Sequence, residues 1–353
     1  MIDADYKVRP NWLKDLTPQF ENSKVAIVQA PQDYRDGGES LFKALAWAEY
    51  KGFFHLGMVT RNERNAIIQH GTMTMVRKDA LERAGRWGTD TITEDTELGL
   101  RVFEDGHEAV YIDQSYGQGL IPDTFTDYKK QRYRWAYGAM QILRGHAAHL
   151  LGMKPSQLNR GQRYHFFSGW LPWIADGFNL VFTLMAVVWS ALMLYDPLIY
   201  NAPPLLISVV PIMFLTFKLT KLFVLYVWQV RTTAGQALGA TLAGLSLSYT
   251  IGRATLSGLF IGRKIPFIRT PKMATRVAVF RAINTARDES VLAAVLLCLV
   301  TVIYLQLGFD SRENLMWCVV LVLQSLPFVA AFVVSLISAL PARAGVLDEQ
   351  NAG

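Results

Sequence analysis

Cysteine is nearly absent from this sequence: its 353 residues include two, Cys298 and Cys318, and both lie in apolar runs. Two thiols in such places give no disulfide framework and no metal-ligand spacing. The first ten residues, MIDADYKVRP, lack the apolar segment of a secretory signal peptide. The net charge of +6 comes without a nucleic-acid recognition motif, which argues against nucleic acid as a partner.

Charged residues are also scarce, at 18% of the chain, and they are unevenly distributed. Residues 1–165 contain most of them, whereas residues 166–340 contain long apolar runs. Basic residues cluster at 129–163 and 263–287, as expected of cytoplasmic segments that flank membrane spans. We therefore attribute the positive charge to membrane topology and to an anionic substrate.

The first half alternates predicted strands and helices. This order favours a mostly parallel α/β sheet, which would bind its ligand at the carboxyl ends of the strands. Gly85 and Gly106 are expected to end two helices, and Gly71 to form a tight turn. The predicted elements are strands at 24–30 and 109–113, a strand–turn–strand unit at 65–76, and helices at 39–50, 78–84 and 94–104.

The second half contains four apolar segments of about the length that crosses a bilayer. The segment 239–261 is richer in small and polar residues, which predicts an amphipathic helix lying on or partly in the membrane. Counting Lys and Arg places 1–165, 229–288 and the C-terminal tail in the cytoplasm. The predicted spans are 173–194, 205–228, 290–307 and 315–340.

Three short motifs could carry chemistry. The first, Asp3-Ala-Asp5, follows what would be the end of a strand. Carboxylate oxygens are the ligands with which proteins hold Mg²⁺ on a diphosphate. Two nearby acids in a loop are usually a solvated turn, so this motif alone has two interpretations.

The second motif is Thr93-Glu94-Asp95. Asp95 could act as a general base that takes the proton of a sugar hydroxyl as its oxygen attacks an anomeric carbon. The alternative is ordinary helix capping, with Thr93 at the N-cap and acids in the first turn.

The third motif is Gln131-Arg132-Tyr133-Arg134-Trp135, on a predicted basic and aromatic helix. Helical spacing allows Gln131, Arg134 and Trp135 to share one face. The Arg134 guanidinium could stabilise a diphosphate leaving group, and Trp135 offers a flat face to a sugar ring. An amphipathic interfacial helix would show the same residue types.

Together, these motifs and the spans that follow resemble the processive, membrane-embedded family 2 glycosyltransferases, such as bacterial cellulose synthase and related β-glucan and hyaluronan synthases. The segment Phe267–Lys272, FIRTPK, resembles the gating loop of cellulose synthase. The stretches QHGTMTMVRKDAL and GWLPWIADG narrow the resemblance to bacterial β-glucan synthases of the β-1,3 or cyclic type. Alone, FIRTPK would be a basic cytoplasmic loop.

The resemblance implies a partial GT-A nucleotide-sugar transferase fold followed by an all-α transmembrane channel domain. Its implied cofactor is Mg²⁺ or Mn²⁺, and its implied substrates are a UDP-sugar, UDP-glucose in particular, and a growing glucan chain. The implied residues are Asp3 and Asp5 for the metal and diphosphate, Asp95 for the base with Glu94 beside it, Gln131, Arg134, Thr270 and Lys272 for the nucleotide, and Trp135 and the turn His70-Gly71-Thr72 for the acceptor.

The resemblance also implies an organisation for the chain. It is a cytoplasmic transferase part (1–150), two transmembrane helices with an interfacial helix (151–262), a gating-type loop (263–288), two transmembrane helices (289–340) and a cytoplasmic tail (341–353). The location would be a bacterial inner membrane, with the lipid bilayer and possible accessory secretion subunits as partners. We expect these residues to be the later part of a longer enzyme and to be inactive alone, because the family's nucleotide-binding strands normally precede Asp3.

Two alternatives stay open. The product could instead be cellulose or an N-acetylglucosamine polymer. The chain could also be a non-catalytic membrane scaffold or transport subunit that retained a transferase domain.

Overall fold

The computed structural model describes residues 1–224, 233–261 and 278–340. The strands within these ranges form two sheets of three strands. The strands are β1 (Lys7–Val8), β2 (Val25–Gln29), β3 (Asp33–Tyr34), β4 (Thr74–Val76), β5 (Glu108–Tyr111) and β6 (Gly117–Gly119).

Both sheets are mixed. One has the order β4-β2-β5, with β2 parallel to β5 and antiparallel to β4. The other has the order β1-β6-β3, with β6 parallel to β3 and antiparallel to β1. The expectation of a mostly parallel sheet was therefore wrong. The central strand β2 is buried along its whole length, as its apolar sequence predicts.

The predicted strand at 65–70 does not form, and side chains take its place. The amide oxygen of Asn65 accepts the backbone N–H of Ala109, and that of Asn62 accepts the N–H of Tyr111, both at 2.8 Å. These two bonds cover the free edge of β5, where a neighbouring strand would otherwise pair. Asn65 itself has a positive φ of 51°, which is incompatible with an extended strand.

The helices of the first half follow their predicted positions closely. Gly85 and Gly106 have φ values of +81° and +84° just after two of these helices, as predicted. A π-helical segment, Phe53–Met58, connects the second helix to the third. The helices are α1 (Trp12–Leu16), α2 (Leu41–Gly52), α3 (Val59–Asn62), α4 (Lys78–Arg83), α5 (Glu94–Glu104) and α6 (Phe125–Leu150).

The second half is helical in all its described segments except short connections. Three of its described helices are long and apolar enough to cross a membrane: α7 (Arg160–Tyr195), α12 (Arg287–Leu307) and α13 (Arg312–Ala339). The predicted span at 205–228 is helical as α8 (Leu205–Val224), and its last residues lie outside the described ranges. The helices are α7 (Arg160–Tyr195), α8 (Leu205–Val224), α9 (Ala234–Ser246), α10 (Ser248–Phe260), α11 (Ala278–Thr285), α12 (Arg287–Leu307) and α13 (Arg312–Ala339).

The segment 239–261 is two helices, not the single one predicted. The break falls at Leu247, whose side chain is 1% exposed. Helix α9 packs against α2 and α13, and α10 packs against α6 and α7. Leu247 is thus the point at which the chain changes from its contacts with α2 and α13 to its contacts with α6 and α7.

Helix α10 joins the two halves of the protein in one hydrophobic core. Its buried Ile251 and Ala254 lie in the same cluster as Tyr137 of α6 and Val334 of α13. Polar contacts cross the same boundary: the buried carboxylate of Glu289, on α12, pairs with the Lys129 ammonium of α6 at 2.9 Å. Helix α6 therefore belongs equally to the transferase part and to the helical bundle.

Candidate active site

Helix α5 places Asp95 in its first turn. The backbone N–H of Thr96 donates to Oδ1 of Asp95 at 2.7 Å. Burial raises the pKa of Asp95 to about 6, helped by the negative charges of Glu94 and Asp3 and opposed by the bond from Thr96. A carboxylate with this pKa is ionised at neutral pH and is still a useful proton acceptor. Thr93 occupies the N-cap position, but its side chain caps no helical N–H, so the capping interpretation is wrong for its hydroxyl.

The turn His70-Gly71-Thr72 lies directly beside Asp95. A Cβ atom on Gly71 would be 3.2 Å from Oδ2 of Asp95. The hydroxyl of Thr96 donates to the carbonyl of Gln69 at 3.0 Å, which fastens the start of α5 to the same turn. The bare backbone at Gly71 therefore leaves room next to the carboxylate.

The segment that carries Asp3 runs alongside this turn. The N-terminal ammonium donates to the carbonyl of Thr74 at 2.7 Å, and the N–H of Asp3 donates to Oγ1 of Thr72 at 3.0 Å. Asp3 is thus bound to Thr72, the residue next to Gly71. Burial and the charge of Asp5 raise the pKa of Asp3, and the positive charge of Arg134 opposes them.

Asp3 and Asp5 suit a hard divalent cation. One oxygen of Asp5 accepts the N–H of Leu120 at 2.8 Å, which fixes its carboxylate. Asp5 raises the pKa of Asp3, so the two negative charges repel each other, and a cation between them would relieve this repulsion. The donor set, two carboxylates, fits Mg²⁺ or Mn²⁺.

Helix α6 positions the third motif through Tyr50 of α2. The hydroxyl of Tyr50 donates to Oε1 of Gln131, and its ring meets that of Trp135 edge to face at 6.1 Å. The guanidinium of Arg132 is 4.6 Å from the centre of the Trp135 ring and is paired with Glu49. One side of Trp135 is therefore held by protein, and the ring keeps a partly exposed surface.

Arg134 is the exposed member of this motif. Its charge acts on the carboxylate of Asp3, whose own charge acts on Asp95. The structure thus brings Asp3, Asp5, Asp95 and Arg134 into one electrostatic neighbourhood, although 131 residues separate the first from the last.

His70 is buried against the rings of Phe53 and Phe54, whose centres lie 5.4 and 5.0 Å from that of the imidazole. Burial lowers its pKa to about 3, and Arg61 contributes, so the imidazole is neutral. Its Nε2 atom has no hydrogen-bond partner among the described residues. The ring therefore cannot act as a cation, and its unpaired nitrogen is itself buried. Thr270 and Lys272, in the gating-type loop, lie outside the described residues.

Sequence reasoning missed Tyr50, Glu49 and Tyr6. Tyr50 and Glu49 lie about eighty residues from the α6 side chains that they hold, so no local spacing marks them. Tyr6 follows Asp5 directly, and the negative charges of Asp3, Asp5 and Asp33 raise the pKa of its phenol beyond the effect of burial. Its position next to the acidic motif is the one sequence signal that could have drawn attention to it.

The chain matches the family described as Glycosyl transferase family group 2 over residues 1–334. It is therefore a family 2 glycosyltransferase, with the GT-A type of fold that the family implies. Enzymes of this family use nucleotide-sugar donors and typically a divalent metal ion.

Two curated plant proteins are similar over part of their length. One is the "Probable glucomannan 4-beta-mannosyltransferase 1" of Arabidopsis thaliana, 28% identical over 146 residues, which are 41% of this chain and 26% of that protein. The other is the "Probable glucomannan 4-beta-mannosyltransferase 7" of Oryza sativa subsp. japonica, 28% identical over 160 residues, 45% of this chain and 27% of that protein. The match thus covers about a quarter of each relative, and both relatives are named as 4-beta-mannosyltransferases.

Proposed function

We propose that this chain carries the base and the leaving-group side of an inverting, processive glycosyltransferase that extends a β-glycan at a bacterial inner membrane. The observation that supports it is the placement of Asp95 and Asp3 beside the Gly71 turn, with the positive charge of Arg134 acting on Asp3. A base, an open acceptor turn, an acidic pair and a guanidinium are the parts that a single displacement at an anomeric carbon requires.

In the proposed reaction, an acceptor hydroxyl lies beside Gly71 and attacks C1 of the donor sugar. Its proton passes to the Asp95 carboxylate as the new C–O bond forms. The bond from C1 to the diphosphate breaks, and the nucleoside diphosphate leaves with the electron pair of that bond. Because the hydroxyl attacks the face opposite the leaving group, the anomeric centre is inverted. Arg134 stabilises the charge that develops on the departing diphosphate. Asp3 and Asp5 would hold a divalent cation, which when bound neutralises part of the same charge.

We further propose that Trp135 carries the acceptor sugar and that the polymer leaves through the helical bundle. The ring of Trp135 is fixed by Tyr50 and Arg132, and α6 shares a core with α10 and α13. A rigid aromatic face at the start of a bundle suits an extended sugar chain, which stacks on flat apolar surfaces. Processive extension follows if each new end returns to the Gly71 turn.

UDP-glucose is our first choice of donor, with a β-glucan of β-1,3 or cyclic type as product. A second candidate is transfer of mannose in β-1,4 linkage, because both plant relatives are named as 4-beta-mannosyltransferases.

The test uses membranes from cells that express the whole coding sequence in which these 353 residues lie. Release of nucleoside diphosphate is followed with UDP-glucose, UDP-N-acetylglucosamine, UDP-glucuronate and GDP-mannose, each with Mg²⁺. Asp95→Asn is compared with Asp90→Asn, whose exposed carboxylate lies in the preceding loop. We expect release from one donor, lost in Asp95→Asn and kept in Asp90→Asn.

Each result decides between specific claims. Release from GDP-mannose would keep the mechanism and replace glucose by mannose. Equal release from Asp95→Asn and the unmutated protein would remove Asp95 from its role. No release from any donor would favour the scaffold alternative.

A further inference from the structure

The far ends of α5 and α6 meet in a cluster of two imidazoles and a carboxylate. Oε1 of Glu104, the last residue of α5, lies 2.9 Å from Nδ1 of His146 and 3.0 Å from Nδ1 of His149, both in the last part of α6. One ligand atom of each residue lies within 4.8 Å of the other two. This cluster is separate from the active site, since Glu104 follows Asp95 by nine residues, about 14 Å along the helix.

The geometry approaches that of a metal tripod. Ligand atoms on a tetrahedral Zn²⁺ are about 3.3 Å apart, given metal–ligand distances of about 2.0 Å. The two distances to Glu104 fall within a few tenths of an ångström of this separation. His146 and His149 are three positions apart on one helix face, so their backbones need no rearrangement to bind the same ion.

The outer nitrogen of His146 has a carboxylate of its own. Its Nε2 lies 3.3 Å from Oε1 of Glu97, and Glu97 is fixed in turn by Arg101 at 2.7 Å. In metal sites the ring nitrogen that is not bound to the ion typically donates to a carboxylate, which sets the tautomer and the ring orientation. His146 therefore has both the inner and the outer partners of a metal-bound histidine.

The surroundings also favour a cation. Helix α5 ends at Glu104 and α6 ends at Leu150, so the negative ends of two helix dipoles converge here. The side chain of His149 is 31% exposed, against 14% for Glu104, so the cluster is open to solvent on the His149 side. An ion could enter from that side and keep water as its fourth ligand.

We propose that Glu104, His146 and His149 form a site for a divalent transition-metal ion, Zn²⁺ in particular, that fastens the end of α5 to the end of α6. Two imidazole nitrogens and one carboxylate oxygen select Zn²⁺ or Co²⁺ over Mg²⁺, which prefers oxygen ligands. Because α5 carries Asp95 and α6 carries Arg134, such an ion would hold the two helices at a fixed spacing. The simpler alternative is an ion pair between the carboxylate and protonated imidazoles.

The test uses the full chain purified in detergent, stripped with a chelator and freed of it. Co²⁺ is added, and its visible d–d bands are recorded. We expect one equivalent of Co²⁺ to give the intense bands of tetrahedral coordination, which Zn²⁺ abolishes and an excess of Mg²⁺ leaves unchanged. Thermal unfolding should shift upward when Zn²⁺ is added to the unmutated chain.

Variants assign the site. His149→Gln and His146→Gln should remove the bands, and Glu97→Gln should weaken Co²⁺ binding by about 10–100-fold, as loss of an outer partner does. The matched control is His55→Gln, which removes a histidine paired with Asp113 at 2.7 Å elsewhere on the surface. It should bind Co²⁺ like the unmutated chain.

The proposal fails if the unmutated chain gives no tetrahedral spectrum, a result that depends on no variant folding correctly. It also fails if His149→Gln retains the bands while its circular dichroism matches that of the unmutated chain. In either case the cluster would be an ion pair.

Discussion

Gly138 of α6 lies against the side chain of Thr93, the residue that precedes α5. A Cβ atom on Gly138 would be 2.6 Å from Cγ2 of Thr93, closer than real carbon atoms approach. Two further contacts join the same elements: the N–H of Ile92 donates to the side chain of Gln141 at 3.1 Å, and the hydroxyl of Thr91 lies 3.5 Å from the carbonyl of Gly138. The close approach of the start of α5 to α6 therefore requires a residue without a side chain at position 138.

Gly138→Ala should separate α5 from α6. The added methyl group would collide with Thr93, which is 9% exposed and cannot move outward freely. We expect a loss of about 1–3 kcal/mol in the free energy of unfolding, typical of overpacking. Turnover should fall further than stability explains, since a shift of about 1 Å between catalytic groups can reduce a rate about 100-fold.

Gly145→Ala is the matched control for this substitution. It lies on the same helix, and a Cβ atom there would meet nothing within 4 Å. Replacing this helical glycine by alanine should leave turnover unchanged and raise stability by about 0.5–1 kcal/mol. Thermal unfolding and donor turnover are measured for both, and equal turnover in the two variants would contradict the role of the Gly138 contact.

The pH dependence of turnover should report Asp95. Burial raises its pKa to about 6, so its protonated form, which cannot accept a proton, persists up to that pH. We expect kcat/KM to rise with pH through about 6 and to be roughly tenfold below its plateau at pH 5. The residual activity of Asp95→Asn should lack this limb. If the pH profile of Asp95→Asn kept an acidic limb with the same midpoint, the limb would belong to another titrating group.

Local sequence signals were sufficient for several of these elements. The apolar run at β2 and the glycines at 85 and 106 act through local backbone preference and burial, which a sequence displays directly. The acidic motif, Asp95 and the Gln131–Trp135 motif likewise marked side chains that the structure brings together. A single sequence shows which chemical groups are present, but it does not show the distances between them in the folded protein.

The features that were missed depend on contacts distant in sequence. The prediction of a strand at 65–70 was wrong because the Asn62 and Asn65 side chains bond to the edge of β5 in its place. The local sequence does not distinguish an asparagine that caps a strand edge from one that forms a turn. The break at Leu247 depends on which helices flank α9 and α10. Tyr50 orients Gln131 and Trp135 across a helix packing that no periodicity encodes.

Arg132 should be structural, in contrast to Arg134 two residues later. Its guanidinium is buried, paired with Glu49 and stacked over the rings of Tyr50 and Trp135. Arg132→Met would leave Glu49 without this partner, and loss of one member of a buried ion pair costs about 3–5 kcal/mol. We expect poor membrane yield or a strongly lowered unfolding temperature.

Lys130→Met provides the comparison. The Lys130 ammonium pairs with Asp127 at 3.6 Å, and the side chain is 36% exposed. Loss of such a pair should cost less than about 1 kcal/mol. Similar unfolding temperatures for the Lys130 and Arg132 variants would show that the Glu49 pair contributes little.

Removal of divalent metal should abolish turnover, and Asp3→Asn should raise the Mg²⁺ concentration needed to restore it. Loss of a carboxylate that contacts the ion weakens metal binding more than loss of a group that only orients a ligand. We therefore expect the Mg²⁺ concentration that restores half of the turnover to rise by at least about 10–100-fold. The measurement is donor turnover against Mg²⁺ and Mn²⁺ after chelation. Asp15→Asn, a partly exposed acid in α1 whose carboxylate accepts a bond from Asn11, is the control and should need no additional Mg²⁺. Full activity with chelator present would remove Asp3 and Asp5 from the proposed metal site.

Gly71→Ala tests whether the space beside Asp95 receives the acceptor. The new methyl group would lie 3.2 Å from Oδ2 of Asp95, in the place proposed for the attacking hydroxyl. We expect turnover to fall by at least about 10-fold, with a change in unfolding temperature no larger than that of Gly38→Ala, where a Cβ atom meets nothing within 4 Å. The methyl group also adds to the burial of Asp95, so the acidic limb of kcat/KM should move to higher pH. Unchanged turnover in Gly71→Ala would place the acceptor away from this turn. A shift of the acidic limb to lower pH would contradict burial as the cause of the raised pKa of Asp95.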